Sequence, residues 1–159
     1  KLSIAYNGFG EIFVFLYFGI IASFGTFYLQ TLELNYKVLL IGCICGFLNM
    51  SLLIINNLRD LKTDQLANKK TLAVLFGVTF SKAELLLANL SVYVIIFFLL
   101  DSPNRVSLFI FTILILIVFN ILYKIFSDIN YLNNNALQKY SFYMIFFTAT
   151  LSMVLIYDF

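Results

Sequence analysis

Five uncharged apolar runs follow one another along the chain, and short polar segments separate them. Each run has about 16 to 18 residues: Ile12–Leu29, Val38–Ile55, Leu85–Leu100, Val106–Tyr123 and Tyr140–Tyr157. Flanking polar residues extend each run towards the ~20 residues that cross the ~30 Å hydrocarbon core of a bilayer. Because backbone groups in lipid must pair within their own segment, the pattern predicts membrane-spanning helices rather than strands.

The predicted fold is therefore all-α, a multi-pass transmembrane helical bundle within one membrane domain that covers residues 1–159. With flanking residues, we expect the five helices at about 12–29, 38–57, 81–100, 105–124 and 139–157. Polar turns are expected around Pro103 and over residues 130–135.

The segment between the second and third runs has features of its own. Leu72–Gly77 is apolar but too short to cross a bilayer, so it predicts a short helix over a cavity mouth, ended by Gly77. Ser81 and Glu84 have the spacing of a capping box, which marks the expected start of the third long helix.

Composition agrees with the membrane class. Hydrophobic residues make up 62% of the chain and charged residues 11%, and the mean hydropathy is +0.98. A net charge of +2 is too small to indicate nucleic-acid binding, and the absence of His removes histidine acid–base chemistry and histidine metal ligands. Cys43 and Cys45 point about 200° apart on a helix, so they predict buried structural thiols rather than a disulfide or a zinc site.

The distribution of charge predicts an orientation in the membrane. If the five helices alternate in direction, eight basic residues fall on one side and only Lys37 and Arg105 on the other. By the positive-inside rule the basic side is cytoplasmic. The eight residues are Lys1, Arg59, Lys62, Lys69, Lys70, Lys82, Lys124 and Lys139.

The chemistry-bearing segment is 56–64, directly after the second run. Asn56, Asp60 and Asp64 are spaced by four, so on a helix they form one narrow stripe over about 12 Å. Hard oxygen ligands in this pattern suit Mg²⁺, which prefers a few carboxylates completed by waters and phosphate oxygens. The same part of the chain carries four cations: Arg59, Lys62, Lys69 and Lys70. A metal ion and cations at the edge of an apolar cavity predict a binding site for a diphosphate with an apolar tail.

Two other interpretations of this segment stay open. Charged residues between membrane helices are commonly a solvated loop that sets topology. Alternatively, Asp60 and Asp64 could form the ion site of a transporter fragment, although transporter sites tend to lie at the middle of a helix rather than at its end.

Segment 56–64 and the following Asn68-Lys69-Lys70-Thr71-Leu72-Ala73-Val74 resemble the second aspartate-rich motif of the UbiA superfamily of intramembrane prenyltransferases. The doubled asparagine, the Arg-Asp pair and Lys-x-Thr-Leu-Ala-Val are most similar to members that act on 1,4-dihydroxy-2-naphthoate in menaquinone synthesis. Residues 4–11 resemble the Gly-x-Gly-Glu segment before the fifth helix of that family. Two positions depart from the family pattern, because Asn68 replaces a usual Gly and Leu75 a frequent Arg.

The resemblance implies roles for seven residues. Asp60 and Asp64, with Asn56, would hold Mg²⁺ for the donor diphosphate. Asp60, Asp64 and Lys69 are the expected catalytic residues, and Asn56, Asn57, Arg59 and Lys70 the expected substrate-binding residues. Arg59 could clamp Asp60 or the diphosphate, or contact a lipid headgroup.

The implied function is transfer of a polyprenyl chain from an allylic diphosphate to an aromatic acceptor, with dihydroxynaphthoate expected and 4-hydroxybenzoate as the alternative. Expected partners are the polyprenyl diphosphate, that acceptor and the lipid bilayer of the inner (plasma) membrane, with the aspartate-rich loop cytoplasmic and no nucleic acid. The family has nine helices and two aspartate-rich motifs. We therefore expect this chain to be the C-terminal half, inactive alone, and to bind its N-terminal half or to self-associate through Gly42 and Gly46.

Overall fold

The computed structural model describes residues 8–100 and 105–158. Seven helices, and no strand, are present in these residues, and five of them are long and apolar enough to cross a membrane. The all-α fold class with five membrane-spanning helices is thereby confirmed. The helices are α1 Gly10–Thr31, α2 Tyr36–Arg59, α3 Leu61–Leu66, α4 Leu72–Leu99, α5 Arg105–Ser127, α6 Ile129–Asn134 and α7 Ala136–Asp158. The expected turn at Pro103 and the charge of Lys1 lie outside the described residues.

The chain divides into two compact units, one ending at Leu99 and one beginning at Leu100. In the first unit α2 is central and packs against both α1 and α4. In the second unit α5 packs against α7, and the short helix α6 connects them. Asp128 caps α6 by accepting a 2.8 Å hydrogen bond from the backbone N–H of Asn130, so a six-residue helix replaces much of the expected polar turn.

Helices α1 and α2 approach closely through glycines. The middle of α1, Phe15–Gly25, is wound as a π-helix, and a Cβ on Gly19 would lie 2.5 Å from Gly46 Cα and 2.6 Å from Gly42 O. The Phe15 ring also covers Gly46. The expectation that Gly42 and Gly46 serve self-association is wrong, because α1 of the same chain already occupies that face.

Helix α4 consists of two helical segments joined at Gly77: the expected short helix, which begins at Leu72, and a long helix, which begins directly after Gly77 rather than near residue 81. Thr71 caps its first turn, since Thr71 Oγ1 accepts a 3.4 Å hydrogen bond from Val74 N–H. The expected break at Gly77 is confirmed, with φ 83° and ψ 177° inside the helix. Because the helix resumes directly after Gly77, Ser81 lies within it; its buried Oγ has no hydrogen-bond partner among the described residues. The prediction that Ser81 and Glu84 form a capping box is therefore wrong.

Candidate functional site

The aspartate-rich segment lies where α2 ends and α3 begins. The helix breaks at Asp60, which has φ −90° and ψ 8°. The spacing of four nevertheless persists in the backbone, because Asp60 N–H donates to Asn56 O at 2.9 Å and Asp64 N–H to Asp60 O at 2.8 Å. Asn56, Asp60 and Asp64 consequently line the same cavity.

This cavity has a volume of about 510 Å³ and lies within the first unit. One part of its lining is polar and carries the aspartate-rich segment together with Lys69 and Glu11. The other part is apolar and comes from Phe13, Val14 and Leu53. An anionic headgroup and an apolar chain can therefore be accommodated side by side.

Arg59 neutralises the outer carboxylate of the site. Its Nε and Nη2 donate to Asp60 Oδ1 and Oδ2 at 2.8 and 2.9 Å, and Nη2 also donates to Asn56 Oδ1 at 2.6 Å. Hydrogen bonding to this guanidinium holds the pKa of Asp60 below its usual value. Of the alternatives for Arg59, the structure shows the clamp on Asp60.

Lys69 is the partner of the inner carboxylate. Its Nζ lies 2.7 Å from Asp64 Oδ1, and the Asp64 side chain is only 7% exposed. The chain reaches this position through Asn68, whose φ of 54° is left-handed, a backbone conformation that Asn adopts more readily than most residues other than Gly. Lys70 is exposed and is not among the described residues that line the cavity.

Glu11 is a site residue that the sequence analysis did not identify. It is 2% exposed, and its Oε1 accepts a 2.7 Å hydrogen bond from Asn57 Nδ2. Both residues line the cavity. Glu11 does not cap its helix, because Phe9 occupies the cap position and no side chain makes a hydrogen bond there. The only local signal was a glutamate beside Gly10 at a helix start.

The site supplies few protein ligands for a metal ion such as Mg²⁺. Among the described residues, no group of three or more His, Cys, Asp or Glu side chains is placed to hold a metal ion. Two carboxylates and the Asn56 amide oxygen do meet at one cavity. The chemistry of these hard oxygen donors fits a Mg²⁺ held by a few protein ligands and completed by waters and phosphate oxygens, and such an ion would take the place of the Arg59 and Lys69 donors that they now accept from.

Comparison with curated proteins gives relatives that share one printed name, 1,4-dihydroxy-2-naphthoate octaprenyltransferase. The protein of Mycobacterium leprae is 46% identical over 72 residues, which are 45% of this chain and 24% of that protein. The protein of Mycobacterium tuberculosis is 47% identical over 72 residues, 45% of this chain and 25% of the relative. The Escherichia coli protein is 40% identical over 72 residues, 45% of this chain and 23% of the relative.

These matches span about a quarter of the length of the curated relatives. No solved structure gives a significant match. The model of the UbiA prenyltransferase family matches residues 3–155, nearly the whole chain. The chain belongs to the UbiA prenyltransferase family, and with five membrane-spanning helices it is a multi-pass membrane protein.

Proposed function

We propose that this chain is part of an enzyme that transfers a polyprenyl chain from an allylic diphosphate to an aromatic acceptor, with 1,4-dihydroxy-2-naphthoate as the acceptor. The observation that carries the proposal is the cavity that joins Asp60, Asp64 and Lys69 to an apolar wall. The acceptor is supported by the shared name of the relatives. Their matched segments leave most of each relative unaligned, so the activity of the whole protein stays a proposal.

The polar side of the cavity would bind the diphosphate. Asp60, Asp64 and Asn56 would hold Mg²⁺, which supplies neutralisation of charge on the leaving group when bound. Lys69 and Lys70 are the proposed cationic donors to diphosphate oxygens. Lys69 is the better placed of the two, because its ammonium already lies at the cavity beside Asp64. Asn57 and Arg59 would orient the groups that contact the substrate.

The apolar side would protect the reacting carbon. As the C–O bond to diphosphate breaks, positive charge develops on the allylic carbon and must be kept from water. Phe13, Val14 and Leu53 provide a wall without water-binding groups. The Phe13 ring face can also stabilise a cation at short range. A ring carbon of the acceptor then bonds to the allylic carbon, and the ring loses a proton or, from a carboxylated carbon, CO₂.

We propose that the site lies at the cytoplasmic face of the inner (plasma) membrane. The support is the asymmetry of basic residues, eight on the side of the aspartate-rich segment and two on the other. Diphosphate donors and Mg²⁺ are available on that side.

One pair of carboxylates holds at most one Mg²⁺ well, whereas a diphosphate carries about three negative charges. We therefore propose that this segment works with a second aspartate-rich motif on the N-terminal half of the enzyme. In liposomes with prenyl diphosphate, dihydroxynaphthoate and Mg²⁺, transfer should require both this chain and the co-expressed N-terminal half of a relative.

Robust transfer by this chain alone would overturn the requirement for a second motif. A complete two-half protein that transfers the prenyl chain to 4-hydroxybenzoate, and not to dihydroxynaphthoate, would reassign the acceptor. If the complete protein instead moves an ion across the liposome and releases no diphosphate, the transporter alternative is correct.

A further inference from the structure

We infer that the second unit carries a binding groove for an anionic phospholipid between α5 and α7. The groove has a volume of about 630 Å³ and is lined by residues of this unit alone, none of which lines the aspartate-rich cavity. The residues that carry the inference are Lys124, Lys139, Tyr131 and Asn120, together with the apolar floor described below.

Both cations of the groove lie at one end. Lys124 is in the last turn of α5 and Lys139 in the first turn of α7, on either side of the short helix α6 that joins them. Both lysines are exposed, and Lys124 Nζ lies 5.9 Å from the centre of the Tyr131 ring. Among the described side chains, no ion pair to either ammonium is present. Two such ammonium groups at one mouth attract an anionic group.

The rest of the groove is apolar and open. Large side chains on its floor are well exposed: Leu116 is 65%, Phe142 52% and Phe146 67% exposed. These residues belong to two membrane-spanning helices, so the open side is suited to hydrocarbon rather than water. An acyl chain is the matching occupant for this part.

The dimensions fit one leaflet of a bilayer. From Ile113 to Lys124 the helix advances eleven residues, about 16 Å at 1.5 Å per residue. Half of the ~30 Å hydrocarbon core is about 15 Å. Asn120 lies one turn below Lys124, at the depth where the ester groups of a phospholipid would lie beneath its phosphate. The order of cation, amide and hydrocarbon contact therefore follows a phospholipid from headgroup to chain end.

The charge of the groove favours an anionic headgroup over a zwitterionic one. No carboxylate is among the described residues that line it, so the amine of a choline or ethanolamine headgroup finds no partner there. A phosphatidylglycerol headgroup brings only negative charge to the two lysines. Basic pockets between membrane helices are known to select such headgroups.

The test is native mass spectrometry of this chain, purified in detergent and supplied with phosphatidylglycerol or with phosphatidylcholine of the same acyl chains. We expect one retained phosphatidylglycerol, bound more tightly than phosphatidylcholine by about fivefold for each lysine. The double variant Lys124→Gln/Lys139→Gln should bind both lipids equally, whereas Lys124→Arg/Lys139→Arg should keep the preference. The charge-matched control Lys37→Gln/Arg105→Gln, at two cations outside the groove, should behave as wild type.

Localisation uses phosphatidylglycerol with a photoreactive acyl chain. Crosslinks should map to α5 between residues 113 and 124 and to α7 between residues 139 and 146. Equal binding of both lipids by the wild-type chain, or crosslinks confined to the first unit, would overturn the inference. Two further results would overturn the inference. If a prenyl diphosphate displaces the lipid at lower concentration, the groove belongs to the donor substrate. If the bound lipid is lost when the N-terminal half is co-expressed, the groove belongs to a helix of that half.

Discussion

Asn57 Nδ2 lies 2.7 Å from Glu11 Oε1, and this buried hydrogen bond joins the first turn of α1 to the last turn of α2. It joins residues 46 apart in sequence, and both of them line the aspartate-rich cavity. The bond fixes the second asparagine of the Asn56-Asn57 pair, whereas the first accepts a 2.6 Å hydrogen bond from Arg59 Nη2.

Loss of this bond should destabilise the first unit. Glu11→Ala leaves the Asn57 amide buried without its partner, which costs about 1–3 kcal/mol. Glu11→Gln keeps the size of the side chain and should cost less. Denaturant unfolding in detergent measures both, and Glu33→Ala, at an exposed position, is the matched control. Equal stability of Glu11→Ala and Glu33→Ala would show that the bond contributes nothing.

Asp60 and Asp64 should be indispensable for prenyl transfer by the complete two-half enzyme. Replacing either with Ala removes an oxygen donor for Mg²⁺ and with it charge stabilisation of the leaving diphosphate, so turnover should fall at least ~100-fold. The measurement is product formation from prenyl diphosphate in liposomes, with Glu33→Ala as the control. Near-normal turnover of Asp64→Ala at ordinary Mg²⁺ would remove Asp64 from the site.

The Arg59–Asp60 pair predicts a particular pH dependence. Because Arg59 lowers the pKa of Asp60 in the folded chain, the pair contributes stability above the unfolded pKa of about 3.9, and that contribution is lost as the pH falls through the lower folded value. Both side chains are 34% exposed, so solvent screening keeps the contribution small.

The corresponding measurement is a carbon-13 NMR titration of the Asp60 carboxyl in detergent. In wild type its midpoint should lie below the usual aspartate range, and in Arg59→Gln it should move upward. Arg59→Lys keeps the charge but loses the bidentate geometry, so its Asp60 midpoint should lie between those of wild type and Arg59→Gln. An identical midpoint in wild type and Arg59→Gln would show that the pair does not form in solution.

The proposed orientation is testable by cysteine accessibility. In a chain with Cys43 and Cys45 replaced by Ser, single cysteines at Lys62 and at Asn104 should react from opposite sides of a sealed vesicle, because one membrane helix separates them. The Lys62 site should react from the cytoplasmic side. Reaction of both from the same side contradicts the alternation of the helices.

The sequence was sufficient for features that depend on neighbouring residues. Run length and hydropathy define the five long helices, and the spacing of four that brings Asp60 and Asp64 together is maintained by local backbone hydrogen bonds. The Glu11–Asn57 bond could not be predicted, because it depends on how α1 packs on α2. Likewise the Ser81–Glu84 pattern was misleading, because the helix already resumes directly after Gly77 and Ser81 lies inside it.

The contact between α1 and α2 should be intolerant of a single added methyl group. A Cβ on Gly19 would lie 2.5 Å from Gly46 Cα and 2.6 Å from Gly42 O, and these backbone atoms cannot rotate away as a side chain could. Gly19→Ala should therefore push the two helices apart and cost about 1–3 kcal/mol of stability. The matched control is Gly25→Ala on the same helix, where nothing lies within 4 Å of an added Cβ. That variant should be neutral or slightly stabilising, since Ala favours a helix over Gly.

Thermal unfolding in detergent distinguishes these two alanines directly. The same displacement moves Glu11 away from Asn57, so Gly19→Ala should also loosen the cavity although it lies outside it. Proteolysis at the aspartate-rich segment should then be faster in Gly19→Ala than in Gly25→Ala. If both variants unfold at the same temperature as wild type and are cleaved at the same rate, α1 does not pack on α2 through these glycines. The placement of Glu11 in the site, which depends on that packing, would then be wrong as well.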